Sequence, residues 1–491
     1  MRFYFPIIST LIINLTLFLN PFFCFGLTVK EEKDIGKEVL AQVKRAFPIV
    51  EDHYIESYIQ NLGDKIVQNS DNKLFDYNFF VIRDSSYNAF AVPGGYIFIH
   101  TGLISSMEHE SELAGIVAHE IAHVNARHIA QQVEESKKVS MATLAGLAAG
   151  IVLGMNGADP DAVMGLISGT QAAGQSAMLS YSREHERDAD TKGLGYLVRS
   201  GYSPKGLLDI LEKIRSKEVW TTTEVPVYMR THPGTKERIH SISGFIEKNS
   251  DSLPDLSEQS VFSDFNKVRI KITTLYGKKD IALQKMEEIA KDESQRPLSY
   301  YGKALLAMKE GDYEKSADFF SKTLKYNALD MELLFDYGKT LFLKGDYSEA
   351  LDKFSAIKNS GADFPELNIY LGRSYINLEQ YNKAKTIFEK LTARYPENKY
   401  GWYYLGIANE KVGFRGLAHY SLARYHEIAV NEDVCIFHYK KAVSILDGAK
   451  KAEAEKRLED FRNRNKKKKK AEEADDEKDK SGQLKQFLYS D

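Results

Sequence analysis

His119 and His123, with Glu120 directly after the first, are the residues of this chain best equipped for chemistry. On a helix, residues four apart share a face, so both imidazoles project toward one point. Neutral imidazole nitrogens at that spacing suit Zn2+, which takes His nitrogen at roughly 2.0–2.1 Å in a near-tetrahedral site. Glu120 stands beside the two ligands rather than among them, where a general base for a water activated by the metal belongs. His128, five residues past His123, is turned off that face and is expected to be a surface or supporting group rather than a ligand. Only 12 of 491 residues are histidine, so the pairing does not come from a histidine-rich composition.

The elements that must position these groups follow from the pattern around them. Leu113, Ile116, Val117, Ile121 and Val124 keep a helical period, which puts the histidines on a buried helix. Ser105-Ser106-Met107-Glu108 reads as its capping box, with Ser105 at the N-cap. A catalytic zinc needs a third protein ligand. The ionisable run Tyr181–Asp190 on a predicted helix is ordinarily a solvated face. Within it, however, Glu186 and Asp190 stand four apart, 63 and 67 residues beyond His123. Glu186 can complete the metal site, and Asp190 can hold the second nitrogen of a ligand histidine and fix its tautomer. His232, in the turn Thr231-His232-Pro233-Gly234, has three readings: an oxyanion donor, an occupant of the fourth zinc position that keeps the site latent, or a surface loop residue.

Upstream, Glu31–Phe47 and Asp52–Gln68 are predicted helices, and Asp76–Arg83, rich in aromatic and β-branched residues, is a predicted strand. Asn88–Val92 makes a second strand that Pro93-Gly94-Gly95 ends in a turn, and Tyr96–His100 a third. An edge strand beside a zinc helix can pair with an extended peptide through main-chain bonds. Asn88, Ala89, Phe90 and Ala91 are the expected substrate-binding residues.

Taken together, His119–His123, the pattern Glu186–Asp190, the segment Asn88–Gly95 and the loop Thr231–Pro233 resemble the HtpX and CAAX-prenyl-protease class of zinc metallopeptidases. The resemblance runs over roughly residues 31–248. It implies one Zn2+ per chain, held by His119, His123 and Glu186, with Glu120 as the base. Asp188 stands where many relatives carry Glu. The several spanning helices of the membrane-embedded members are missing, and the chain looks like the soluble, exported branch known from bacterial envelopes. That branch implies misassembled outer-membrane proteins as substrates and a partner in the outer-membrane assembly machinery.

The remaining sequence divides around this domain. Arg2 precedes an apolar run to Leu19, and Cys24 and Gly26 are small where a signal peptidase would want them, so residues 1–26 read as a secretory signal. An uncleaved membrane anchor is the alternative. Once the signal is removed, Cys435 is the only cysteine and no intrachain disulfide can form. The Ala/Gly-rich segments Val139–Gly154 and Ala162–Leu179 suggest a buried or interfacial helical hairpin, compatible with contact at a membrane surface. In the second half, Gly311-Asp312-Tyr313 recurs 34 residues on as Gly345-Asp346-Tyr347 and again as Glu379-Gln380-Tyr381. Gly338, Gly372 and Gly406 keep the same phase, as do Ala350, Ala384 and Ala418, and Phe320, Phe354 and Phe388. That is the tetratricopeptide pattern, which presents a concave surface to peptides or partner proteins. About four repeats are expected over residues 297–432. The charged end, with Lys466–Lys470 unbroken, reads as a disordered, solvated tail.

The expected architecture is mainly α. A zincin-like α+β metallopeptidase domain with a small sheet (27–255) precedes an α-helical repeat solenoid (256–463) and a tail (464–491). The formal net charge of −3 gives no reason to expect nucleic acid. The expected function is peptide-bond hydrolysis in unfolded or misassembled envelope proteins of a Gram-negative-type periplasm. The alternative is a repeat-bearing assembly factor whose peptidase half is largely latent.

Overall fold

The computed structural model describes residues 27–135, 181–220, 226–255 and 260–464, and the chain is mostly helical within them. The expected secretory signal, the Ala/Gly-rich hairpin and the charged tail lie outside the described residues. Among the described residues, no helix is long and apolar enough to cross a membrane.

The first half is layered. Helices α1 (Val29–Ala46) and α2 (His53–Gln68) precede three short strands, β1 (Asn78–Ile82), β2 (Ala89–Val92) and β3 (Tyr96–His100). The sheet order is β1-β3-β2, with β1 parallel and β2 antiparallel to the central β3. Alternation along the strands divides the core. Phe79, Val81, Ala89, Ala91, Ile97 and Ile99 join the main core, while Ile82, Phe90, Val92 and Phe98 pack on α1 through Ile35, Val39 and Val43. Gly94 and Gly95 make the turn between β2 and β3 with positive φ, a conformation in which a Cβ is strained.

A short helix α3 (Thr101–Ser106) leads into α4 (Glu110–Asn125), the central helix. Every residue of α4 from Ser111 to Asn125 is buried, because α2, β2, α6 (Arg183–Arg199) and α7 (Lys205–Trp220) pack around it. The expected cap needs correcting. Ser105 and Ser106 close α3 by bonding back to the carbonyls of Gly102 and Leu103, and the N-cap of α4 is His109. Glu112 completes that box, accepting from the backbone N–H groups of Glu108 at 2.7 Å and His109 at 2.9 Å. Helix α5 (His128–Glu135) follows α4, and α8 (Val227–Thr231) and α9 (Thr235–Asn249) follow α7.

Helix α10 (Asp264–Lys271), continued by a wide π-helical turn Ile272–Tyr276, begins the second half. Its Phe265 and Val268, with Ile272 of the turn, belong to the same core as α4, so the packing runs without a break past residue 255. After α11 (Lys279–Ile289), paired helices follow: α12 (Arg296–Lys309) with α13 (Tyr313–Leu324), and α14 (Met331–Lys344) with α15 (Tyr347–Asn359). Next come α16 (Pro365–Asn377) with α17 (Tyr381–Arg394), and α18 (Lys399–Val412) with α19 (Arg415–Ile428). Helix α20 (Glu432–Ile445) and a helix over 448–464 close the array. The phased residues meet as their period requires: Gly338 faces Phe354, Gly372 faces Phe388 and Gly406 faces Leu422.

Candidate active site

Four side chains from three places in the chain converge on the inner end of α4. His119 and His123 come from α4 and Glu186 from the first turns of α6, where Ser182 caps the helix through the His185 N–H. His232 ends α8. Helix α6 reaches this position because Ala189 and Gly193 are small. A Cβ on Gly193 would sit 3.3 Å from the His119 backbone nitrogen, leaving little room for any larger residue.

The four ligand atoms all lie within 4.8 Å of one another, and all four residues are buried. The Nε2 atoms of His119 and His123 are 3.0 Å apart. Glu186 Oε2 is 3.4 Å from His119 Nε2, and its Oε1 is 3.4 Å from His123 Nε2. His232 Nδ1 lies 3.0 Å from Glu186 Oε1 and 3.4 Å from His119 Nε2. Bonds of roughly 2.0–2.1 Å in a tetrahedral site put ligand atoms about 3.3 Å apart, so these spacings fit a small cation. Charge agrees: the buried Glu186 and Asp190 carboxylates outnumber the one Arg238 guanidinium set against them, which favours a cation among the ligand atoms. Both Glu120 oxygens and His232 Nε2 are buried without a hydrogen-bond partner, which a protein rarely tolerates in a site meant to be empty.

The surroundings fix tautomers. Asp190 Oδ1 lies 3.0 Å from His119 Nδ1, so that nitrogen donates and Nε2 faces the cluster. On the other histidine, Nδ1 is 3.0 Å from His128 Nδ1, and His128 Nε2 is 3.1 Å from Asp188 Oδ2. A proton on His123 Nδ1 gives a consistent chain of donors ending at the Asp188 carboxylate. His128 is thus buried against His123 and outside the ligand group. Tyr181 stacks on His123 at 3.7 Å between ring centroids, and Tyr228 on His232 at 4.3 Å.

Arg238, from α9, is the partner that motif reasoning missed. Its Nε and Nη2 reach Asp190 Oδ2 and Oδ1, both at 2.8 Å, and Nη1 lies 2.7 Å from Glu186 Oε2. Its sequence signal is no more than its place six residues after His232. Burial works to raise the Asp190 carboxyl, but Arg238 and the His119 bond outweigh it and hold it at about 2. Burial likewise opposes the Glu186 charge, and Arg238 with His232 overcomes it, keeping Glu186 ionised. Glu120 makes no hydrogen bond, and although His232 Nε2 lies 3.6 Å from its Oε1, burial dominates and pushes its carboxyl above the usual range. Burial also keeps His123 neutral, as a ligand must be.

Asn88 and β2 lie at the sheet margin. Asn88 is fully buried with neither side-chain atom hydrogen-bonded, and Ala89 and Ala91 pack into the α4 core. No strand among the described residues pairs with the outer edge of β2.

A buried His-His-Glu group beside a glutamate free of hydrogen bonds is the arrangement of a metallopeptidase, and residues 54–246 match the model of peptidase family M48. Residues 301–364 and 369–398 match tetratricopeptide repeat models, so a peptidase M48 domain is followed by a C-terminal repeat array. It is similar to the beta-barrel assembly-enhancing protease of Yersinia pestis, 27% identical over 397 residues and 79% of each chain. The protein of the same name in Escherichia coli K12 is 26% identical over 431 residues, covering 86% of this chain and 84% of that one. The mitochondrial metalloendopeptidase OMA1 of Schizosaccharomyces pombe is 26% identical over 215 residues, 44% of this chain and 59% of that one.

Proposed function

We propose that the chain is an exported zinc metalloendopeptidase that cuts unfolded or misassembled proteins of the bacterial envelope during outer-membrane protein assembly. The observation that carries the chemistry is the convergence of His119, His123 and Glu186 with the buried Glu120 beside them, free of hydrogen bonds and 3.6 Å from His232. Those three residues would hold the zinc, which supplies Lewis acidity toward the scissile carbonyl and toward a neighbouring water. Glu120 takes the proton of the attacking water and passes it to the leaving amine. Asp190 and Arg238 keep His119 and Glu186 oriented, so the ligands need no rearrangement. Residues Asn88–Ala91, along the edge strand β2, pair with the main chain of an extended substrate. The envelope setting and the class of substrate rest on the names of the similar proteases and on the secretory character of residues 1–26.

His232 supports a resting state that is closed. It stands as a fourth member of the ligand group, the position an active site of this kind keeps open. In this reading the repeat array finds the partner or substrate, and the peptidase half acts only when His232 moves aside. Zinc content and casein cleavage, measured on wild type and Glu120→Gln, test the proposal. Glu120→Gln is expected to keep its zinc and lose cleavage. Loss of the metal, or undiminished turnover, removes Glu120 from the role of base.

A further inference from the structure

The first helices of consecutive repeat pairs, α14, α16 and α18, lie side by side, and one position along them carries a cation over aromatic rings twice. On α14, Lys339 sits 5.3 Å from the Phe335 ring centroid and 5.7 Å from that of Tyr370, and it pairs with Glu366 of the next helix at 3.0 Å. Arg373, one repeat later in the same phase, occupies the same place on α16. Its guanidinium lies 4.5 Å from the Phe342 ring centroid and 5.2 Å from those of Tyr370 and Tyr404. The residue in phase with Glu366 is Tyr400, so the repeat that should supply a carboxylate to Arg373 supplies a phenol ring instead. Arg373 is partly exposed, and its guanidinium makes no hydrogen bond or ion pair among the described residues. A planar guanidinium with rings against it keeps its in-plane N–H donors for an anion, and a carboxylate fits that fork best. On the helix that carries Tyr404, Tyr400 is 51% exposed and Tyr403, whose ring lies 5.1 Å from that of Tyr404, is 38% exposed. They form the rigid aromatic surface on which binding energy concentrates.

We propose that Arg373, framed by Phe342, Tyr370 and Tyr404, is a recognition site for an acidic side chain of an extended polypeptide bound along the repeat array. The carboxylate takes the place that Glu366 fills one repeat earlier. An internal side chain is the occupant because Glu366, the built-in example, presents a side-chain carboxylate, and because paired helices continue on both sides of α16, leaving the bound chain free to run on in either direction.

The test uses the full-length Glu120→Gln chain, so that no probe is consumed, and short acetylated, amidated peptides with a single central Glu or Gln between Leu and Ser, read by fluorescence anisotropy. The Glu peptide is expected to bind about tenfold or more tightly than the Gln peptide, and Arg373→Gln to abolish that preference. Tyr400→Glu, a change at an exposed position, supplies the missing carboxylate from within and is expected to abolish it as well. Equal binding of both peptides to the parent chain overturns the proposal. So does an unchanged preference in Tyr400→Glu, or binding that appears only when the peptide has a free C-terminus. If Arg373→Gln lowers the melting temperature but leaves the preference intact, Arg373 is only a staple between helices, and the proposal fails.

Discussion

Replacing Arg238 with Met removes a buried cation from between two carboxylates while keeping a comparable volume. Arg238 is 2% exposed and makes three short charged contacts, at 2.7, 2.8 and 2.8 Å, to Glu186 and Asp190. Breaking a buried pair by deleting one partner costs about 3–5 kcal/mol, because the remaining charge stays desolvated. For a unit of the size of this peptidase core, each kcal/mol shifts melting by roughly 2–4 °C, so with metal chelated the variant should melt on the order of 6–20 °C lower. The deficit depends on pH in a defined direction. In the wild type the Asp190 carboxyl, held at about 2, contributes stability above its ordinary value of 3.8 that is lost as pH falls toward 2. In the variant burial dominates and raises the carboxyl, so ionising it costs stability as pH rises. The gap between the two proteins should therefore widen from acid toward neutral pH. Saturating zinc should narrow it, because a dication at the neighbouring ligands replaces the lost positive charge and stabilises the folded form in proportion to its occupancy. Thermal scans of both proteins at several pH values, with chelator and with excess zinc, provide the measurement. A wild-type melting point in chelator, or a deficit indifferent to zinc, would refute the view that Arg238 neutralises this site.

Three further outcomes are expected. His232→Ala should raise basal casein cleavage and self-cleavage if His232 holds the site closed; a fall of about 10²–10³-fold would make it an oxyanion donor instead, and no change would leave it without a role in turnover. Gly372→Ala puts a Cβ 2.4 Å from Cζ of Phe388, whose ring is fully buried. Overpacking of about 1–3 kcal/mol should outweigh the roughly 1 kcal/mol gained in helix propensity. Denaturant unfolding of that variant should thus show a loss, while cleavage of a short unstructured peptide stays unchanged; a neutral or stabilised variant would mean the ring yields freely. Lys285, which donates to the Ser105 carbonyl, is pushed from 10.5 to about 8 by burial and by Arg269 and Lys213. Between those two pH values the unfolded chain binds more protons, so stability of the wild type should rise relative to Lys285→Met by on the order of 3 kcal/mol; parallel stability curves would contradict the desolvated placement.

Lys285 also indicates how the two halves are joined. The carbonyls of Ser105, Ser106 and Met107, just before the helix that bears His119, receive Lys285, Lys213 and Arg269 respectively. Two of those cations come from helices beyond residue 255, and Lys271 of α10 lies among Asp52, Glu332 and Asp336. A repeat array tied to the peptidase core through buried charges resists independent motion at this junction, since separating them would leave each charge uncompensated in a desolvated place.

What the sequence determined by itself was whatever has a short or regular period. His119, Glu120 and His123 were legible because four residues of helix bring two side chains to one face whatever surrounds them. The strands were legible from their aromatic and β-branched residues and the Pro93-Gly94-Gly95 turn, and the repeats from the fixed recurrence of Gly-Asp-Tyr and its phased small residues. Tertiary packing decided the rest. Glu186 reaches the histidines only because Ala189 and Gly193 let α6 lie close to α4, and Arg238 meets Asp190 only because α9 folds back behind them. The cap of α4 moved from Ser105 to His109 because Ser105 and Ser106 bond within α3, leaving the free backbone N–H groups of Glu108 and His109 to Glu112, whose other oxygen Lys213 holds from α7. His128, turned off the ligand face by its spacing, is buried against His123 because α5 starts immediately after α4 and Asp188 from α6 closes over it. The contacts that settle these placements, Glu186 and Arg238 at the histidines, Lys213 on Glu112 and Asp188 on His128, join segments far apart in the chain, where a residue's partner is set by which surfaces can be buried together and by the cost of leaving a buried charge alone.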